Sequence, residues 1–481
     1  MSRYWPHLLA AAQVVAALVA SSHAILWKRD PRSAVSWVGL IWLTPFVGSL
    51  MYISFGINRI ERKALSMSRR RSRCRTEAVA PYLECTDEEL REYLGAEDVH
   101  LAEVAKVGRS VLGRPLLEGN AVSPLVNGEE AFPAMLAAID AAERSVSLLV
   151  YILELDQVGG KFVDALGRAA ARGVEVRVLL DAVGSGKDLR KLLRALAEKK
   201  VGAAAFLPLK VPWRTRYMNL RNHRKILVVD GRIGFTGGMN IRDSHLVQGT
   251  TAHKEQDVHF RLDGPVVEHL QEAFVDDWMF TTGESLLGDK WFPVQKAVGK
   301  IGARGVPFDP GEKLDIYRNL LVAAVGTARR AIRIVTPYFL PEAPLVTALN
   351  VAALRGVEVD ILIPSKSDHA GMAWATQAML WQVLIRGCKV WKSAPPFDHS
   401  KLIVVDGAWV FFGSMNVDPR SMRLNFEMNV EAYDRELGRR IDAIALEKRA
   451  KAKPVTLKAV NERPLWMRLR DGVARLFTPY L

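Results

Sequence analysis

Cysteine is nearly absent from this 481-residue chain: Cys74, Cys85 and Cys388 stand far apart, with no Cys-x-x-Cys pair. That argues against a disulfide framework and a cysteine-ligated zinc site, and three separate thiols fit a reducing compartment. Clustered carboxylates of the kind that hold a divalent metal are lacking as well, so neither a metal nor a cofactor is expected. Negative charge is in deficit. The 52 Asp and Glu against 66 Lys and Arg leave a net charge of +14. An anionic partner fits this balance, either nucleic acid or a membrane surface, and so does a basic surface serving solubility alone. What is present is a globular balance with some membrane content, 49% apolar and 25% charged, which argues against disorder. The chain is long enough for two sizeable cores.

Two apolar runs open the sequence. Leu8–Trp27 is predominantly apolar, with Gln13 and His23 its most polar interruptions, and Ala34–Ile57 is uncharged and rich in Trp, Leu, Ile and Phe. Both approach the roughly 20 residues that cross a bilayer core. Trp27, Trp37 and Tyr52 suit its interfaces. Pro45 falls inside the second run, where neighbouring helices can tolerate it. The alternative for the first run is a signal peptide ending at Ser22-His23-Ala24, although Arg3 is the only fixed charge before it. Basic residues crowd the exit of the second run (Arg59, Arg62, Lys63, Arg69, Arg70, Arg71, Arg73 and Arg75), while the turn between runs holds Lys28, Arg29 and Arg32. The positive-inside bias therefore places the long C-terminal part in the cytoplasm, and the basic segment could hold anionic head groups. A linker follows to about Asn120, with Thr86–Leu94 reading as a short capped helix.

Beyond it, one unit is used twice. Ser145–Tyr151 and Ala331–Tyr338 read as matching strands, and Arg172–Asp181 (RGVEVRVLLD) is nearly repeated at Arg355–Pro364 (RGVEVDILIP). Lys225–Asp230 and Lys401–Asp406 are again buried-type strands, each turning at Asp-Gly. Strands alternating with helices predict an α/β fold of two similar halves, each a β-sheet flanked by helices. A site at the interface between them is expected. The divisions are 1–60, an N-terminal two-helix transmembrane hairpin; 61–120, a basic juxtamembrane segment and linker; 121–290 and 291–445, the halves; and 446–481, a tail. In the tail, Leu465, Leu469, Val473, Leu476 and Phe477 share one helical face beside Arg468, Arg470 and Arg475, which suits an interfacial helix or one packed on the core.

Each half carries the same chemistry-bearing text: His223-x-Lys225-x4-Asp230 with Asn240 following, and His399-x-Lys401-x4-Asp406 with Asn416 following, at identical intervals. His and Lys two apart on an extended chain point to one side and can reach one ligand. Two imidazoles, two ammonium groups and two amides suit a phosphodiester and the charge of its transition state. One His can attack phosphorus; the other can protonate the leaving alcohol and deprotonate the incoming one. Each needs an orienting acid. Candidates are Glu255 and Asp257 after the first motif and Glu427 and Glu431 after the second, of which Asp257 and Glu427 match in the strand alignment. Asp230 and Asp406, counted with the catalytic motif, sit before Gly at strand ends and read as braces. The first motif carries Gly238 where the second has Ser414, one hydroxyl fewer, so the halves are unequal.

These twin motifs resemble those of the phospholipase D superfamily. Lys28–Ser33, Phe55–Asn58, Tyr338–Pro341, Lys366–His369 and Asp418–Glu427 further resemble bacterial cardiolipin synthases, over almost the whole chain. The resemblance implies two phospholipase D-like halves in a multi-pass protein of the bacterial inner membrane. It also implies phosphatidyl transfer from one phosphatidylglycerol to another with release of glycerol, through a phosphatidyl-histidine on His223, with His399 as acid/base. Phosphatidylglycerol is then the partner, with no nucleic acid expected. A basic and apolar loop, Phe206–Tyr217, could lie on the bilayer or pack as a core loop. A hydrolase passing the group to water, another acceptor alcohol, an anchored nuclease and a non-enzymatic scaffold are the competing readings. The completeness of both motifs speaks against the last.

Overall fold

The computed structural model describes residues 4–28, 30–56, 83–208, 220–310 and 315–478, in two compact units, 1–63 and 64–481. The first holds α1 (Trp5–Trp27), α2 (Pro31–Leu43), α3 (Pro45–Met51) and a π-helical turn, Tyr52–Gly56. Ala17, Ala20 and Ala24 of α1 are buried with Ile41 and Tyr52, small side chains letting helices approach closely. His23 Nδ1 lies 2.8 Å from the Tyr52 hydroxyl. Among the described residues, His7–Trp27 is the one helix long and apolar enough to cross a membrane.

The second apolar run is not one uninterrupted helix. It breaks at Thr44 (φ −140, ψ 75) between α2 and α3, because Pro45 lacks an N–H and forces the preceding residue out of the helical region. The 13 residues of α2 reach about 20 Å, short of a hydrocarbon core of roughly 30 Å. The basic residues from Arg59 to Arg75, Asn58, and most of the Phe206–Tyr217 loop (209–217) lie outside the described residues.

The second unit is built on a sixteen-stranded sheet and a separate two-stranded one. Its first half contributes β1 (Leu117–Val126), β2 (Ser145–Val150), β3 (Glu175–Asp181), β4 (Gly202–Phe206), β5 (Arg221–Asn222), β6 (Ile226–Val229), β7 (Ile233–Gly237), β8 (Glu255–Gln256) and β9 (Val258–Asp263). The second contributes β10 (Ile301–Phe308), β11 (Ala331–Val335), β12 (Glu358–Pro364), β13 (Lys389–Ser393), β14 (Phe397–Asp398), β15 (Leu402–Val405), β16 (Trp409–Gly413), β17 (Asn425–Tyr433) and β18 (Lys453–Val455). The order β4-β3-β2-β6-β7-β9-β1 is repeated in mirror by β10-β17-β16-β15-β11-β12-β13, with β1 and β10 paired at the join. Every residue of β2, β6, β15 and β17 is buried; of these, β6 and β15 are continuous apolar runs, as strands covered on both faces demand.

Both motif hairpins, β6–β7 and β15–β16, close on Asp-Gly with positive φ at both residues (53 and 64; 53 and 65), the turn whose twist matches a two-residue hairpin.

Residues 83–112 are no linker. The helix Asp87–Asp98, opened by a Thr86–Glu89 capping box, the short turn Val99–Leu101 and the helix Ala102–Leu112 bury Leu90, Leu94, Leu101 and Val104 in the core of the second half. In the first of these helices, Leu90 and Leu94 are hidden in the sequence among acidic residues. The tail is likewise part of the unit: β18 pairs with β13, and the helix Leu465–Leu476 packs on the helix Ala370–Met379. Its apolar residues Leu465, Leu469, Val473, Leu476 and Phe477 nevertheless stay exposed, with Trp466 beside them.

Candidate active site

His223 and Lys225 lie on extended chain just before β6, and His399 and Lys401 just before β15. Each lysine folds back on its own histidine: Lys225 Nζ donates to the His223 carbonyl at 2.7 Å, and Lys401 Nζ to the His399 carbonyl at 2.6 Å. An ammonium has three donors, so two remain on each for a ligand. Burial lowers the pKa of both lysines. Two buried ammonium groups facing one site are therefore stabilised by an arriving anion.

The two halves are stitched together at the histidines, crosswise. β5 pairs in parallel with the start of β17, and β14 with β8. The His223 N–H donates to the Phe426 carbonyl at 2.9 Å, and the His399 N–H to the Gln256 carbonyl at 2.8 Å. The next residue along each partner strand is the acid. His223 Nδ1 thus meets Glu427 Oε2 at 3.0 Å, and His399 Nδ1 meets Asp257 Oδ2 at 3.0 Å. Order along the chain places Asp257 after the first motif and Glu427 after the second; space exchanges them. With each Nδ1 held by a carboxylate, Nε2 is the nitrogen left free on both rings among the described residues. The alternative acids are spent elsewhere. Glu255 holds Arg242 at 2.6 Å, and Glu431 is buried against Arg304 at 2.6 Å, with the Tyr433 hydroxyl at 2.9 Å.

Asp230 and Asp406 are not in this site. Seven residues of extended chain, roughly 20 Å, separate each from its histidine. Asp230 accepts the N–H groups of Glu143, Arg144 and Ser145. Asp406 accepts those of Arg329, Arg330 and Ala331, and also meets His100 Nε2 at 2.7 Å. They brace each hairpin against the head of the neighbouring strand.

Asn240 and Asn416 are both buried. The Asn240 carboxamide oxygen accepts from the Ile152 N–H at 3.2 Å, which leaves its NH2 for a ligand. The Asn416 oxygen is buried without a partner among the described residues.

The two His–acid pairs differ in charge. Burial alone would raise Glu427, yet His223, Lys225 and the Ser414 hydroxyl hold it below the usual carboxylate range; Ser414 Oγ donates to it at 2.5 Å and Asn425 Nδ2 at 3.1 Å. Asp257 receives the Val258 N–H at 2.7 Å, and burial pushes it up to about 7. Gly238 stands where Ser414 does and offers no hydroxyl. A Cβ there would lie 2.6 Å from Asp257 Oδ2 and 3.0 Å from the His399 carbonyl, so the position admits no serine without rearrangement. Burial lowers His223 to about 4. His399 is also lowered well below the usual imidazole range, first by burial, then by Lys401, with His245, Lys225 and His223 adding to it. That His223 and both lysines act on His399 shows how closely the two motifs converge.

Four residues near the site escaped the sequence reading. The Tyr151 ring stands 5.0 Å from the His223 ring and 5.3 Å from Lys225 Nζ. Arg224, between His and Lys, faces the opposite way by strand alternation. It is buried, with Nε donating to the Glu427 carbonyl at 3.0 Å and an ion pair to Asp277 at 2.6 Å. His245 Nε2 accepts from the Asn240 N–H at 3.2 Å, as Ser421 Oγ accepts from the Asn416 N–H at 3.3 Å. Aligning the halves five residues past each Asn would have found that pair.

Residues 135–278 and 321–447 match the family described as "Cardiolipin synthase, PLD-like domain", and residues 15–56 match a phospholipase D-nuclease N-terminal family. The chain is 32% identical to a cardiolipin synthase of Geobacillus thermodenitrificans, over 95% of this chain and 90% of that one. It is 31% identical to the major cardiolipin synthase ClsA of Bacillus subtilis, over 94% and 95%. The fold is shared with the phosphatidylserine synthase of Haemophilus influenzae, with a TM-score of 0.62 at 14% identity, covering 79% of this chain and 100% of that one.

Proposed function

Since the chain belongs to the cardiolipin synthase family with phospholipase D-like domains, we propose that it joins two phosphatidylglycerol molecules into cardiolipin and releases glycerol. The observation that carries the mechanism is the crossed pairing of two unequal His–acid pairs around two buried lysines. Roles follow from the inequality, since titratable pairs pushed apart in pKa mark acid and base. The ionised Glu427 offsets the positive charge that His223 gains on attack, so His223 is the nucleophile. The Asp257–His399 pair retains a proton near neutral pH and serves as the acid.

In the first step the His223 Nε2 lone pair forms a bond to phosphorus, the phosphorus–oxygen bond to glycerol breaks, and the leaving oxygen takes its proton from His399. In the second step a hydroxyl of another phosphatidylglycerol gives its proton to His399 as its oxygen attacks phosphorus. The phosphorus–nitrogen bond breaks and its electron pair returns to His223. Lys225, Lys401 and the Asn240 and Asn416 amides surround the phosphoryl oxygens.

The test is incubation of the detergent-solubilised protein with phosphatidylglycerol alone. Cardiolipin and glycerol in equal amounts are expected. Phosphatidic acid as the main product would assign water as acceptor and overturn the synthase reading.

The α1 helix anchors the protein, and the broken apolar stretch after it completes a two-pass anchor with the catalytic unit on the cytoplasmic side. The arginine-rich exit supports that orientation, and the exposed apolar face of Leu465–Leu476 supports a surface suited to lipid. In a cysteine-free background, a cysteine at Ser33 should react with an impermeant maleimide on intact cells. Labelling only after lysis would reverse the orientation.

A further inference from the structure

The helix Leu465–Leu476 is turned inside out. Asp471 is its one buried residue, while Leu465, Leu469, Val473 and Leu476, three or four apart and so on one face, are 54–73% exposed. A surface helix ordinarily buries its apolar stripe and shows its charges to solvent. Here the polar anchors face inward. Asp471 is gripped by Arg463 and, at 2.8 Å, by Arg470. The Arg470 guanidinium also lies 4.5 Å from the Trp374 ring and 5.5 Å from that of Trp466. These contacts fix the helix on its neighbour Ala370–Met379, so the outward apolar face is held in place rather than left on a loose tail.

The apolar surface is concentrated here. Sixteen large apolar side chains are exposed on the described part of the catalytic unit, and nine of them lie on the segments 370–385 and 465–477, a density that marks an interaction surface. Its charge says what covers it. The ion pairs of the helix end at Asp471, which leaves Arg468 and Arg475 without an acidic partner among the described residues. By the helical period both flank the apolar stripe. Indoles and arginines beside such a stripe suit the edge of an anionic bilayer, the alkyl stems lying in the apolar layer and the guanidinium groups reaching the phosphates. A second copy docked on a two-fold axis would instead set these arginines against their own counterparts. The face is also tied to the site. Ala474, on the inner side of the helix, and Phe397 pack on one cluster, Tyr338, Leu340, Met372 and Ala375, and the Phe397 ring lies 6.0 Å from that of His399.

We infer that this face is a membrane contact of its own, separate from the N-terminal helices. It lies in the head-group layer of an anionic bilayer and seats the catalytic unit with the His399 side of the site one packed layer away. A tether alone sets how near the unit stays to the membrane. A surface contact also sets which way the unit faces, so that a phospholipid reaches the site without leaving the bilayer. The effect on turnover rests on the phosphatidyl-transfer reading above; the contact itself does not.

The test puts a fluorophore on Val473→Cys in the full-length, otherwise cysteine-free chain, held in vesicles of phosphatidylcholine and phosphatidylglycerol. A nitroxide on the upper acyl chain of the lipid should quench it about twofold or more, and aqueous iodide should not. The same probe on Glu143→Cys, exposed on the first half, should show the reverse. The double variant Leu469→Glu/Val473→Glu should lower cardiolipin formation in vesicles by about tenfold or more, the order expected when two apolar side chains are kept out of lipid. With phosphatidylglycerol dispersed in detergent it should change the rate by less than about twofold, both positions being exposed. Iodide quenching at 473 like that at 143, or unchanged activity of the double variant in vesicles, overturns the inference. So does a probe shielded from both quenchers in a chain that cross-links to a second copy, which would mean that the copy covers the face. The probe measurements keep the inference falsifiable if the double variant does not fold. Wild type making no cardiolipin in either setting, with lipid quenching at 473 intact, would sink the phosphatidyl-transfer reading and leave the contact standing.

Discussion

Replacing His223 by alanine should abolish cardiolipin formation, by about 10⁴-fold or more, and His399→Ala should cost a comparable amount, about 10³–10⁴-fold. Loss of product alone does not separate the two roles; the leaving group does. Glycerol needs a proton as it departs, whereas a nitrophenolate leaves without one. With a nitrophenyl phosphatidyl ester, His399→Ala should still release a burst of nitrophenolate equal to the enzyme present. It should then stall with a phosphatidyl group on His223, found by mass spectrometry of that peptide. His223→Ala should give no burst. The assignment rests on the ionised Glu427 behind His223 and the protonated pair behind His399. A burst from His223→Ala and none from His399→Ala would exchange the roles.

The acids behind the histidines carry the second large effect. Glu427→Gln should lower turnover by about 10³–10⁴-fold, because a neutral amide cannot offset the imidazolium formed on His223 and can fix the wrong tautomer. Ser414→Ala removes one of the bonds that keep Glu427 ionised and should cost about tenfold, the scale of a hydrogen bond to a charged group.

Asp257→Asn should act differently, through pH. With Asp257 raised to about 7, its pair with His399 holds the proton below that pH and loses it above. A bound phosphodiester anion moves this point upward. The first step with a glycerol leaving group should therefore fall on the alkaline side of about pH 7, and the nitrophenolate burst should not. Asp257→Asn should remove that alkaline limb. An identical pH profile in wild type and Asp257→Asn would show that the pair is not the source of the proton.

These effects also mark how much of the site could be read without the fold. The His-x-Lys pairs are legible because a two-residue period puts both side chains on one side whatever surrounds them, and because the chain writes them twice. The Asp-Gly turns and the Thr86 capping box are legible for the same reason: each is fixed by residues within four positions of one another. Pro45 was visible too, but its consequence was misjudged. A proline in an apolar run can kink a helix or end it, and the backbone at Thr44 chose the second.

The exchange of Asp257 and Glu427 was not legible. Each acid follows one motif in sequence and serves the other, since the pairings β5–β17 and β8–β14 form only when the halves meet. Glu431 shows the same limit: a carboxylate four residues from Glu427 on one strand looks equally able, until Arg304 from β10 claims it.

The sequence by itself thus determined the reacting groups, the duplication and the local turns, because these depend on residue chemistry and short-range geometry. Only the tertiary structure decided which acid orients which histidine, that residues 83–112 belong to the second core, and which way the apolar face of the helix Leu465–Leu476 points. Those depend on contacts between segments more than a hundred residues apart, whose burial sets both partners and charge.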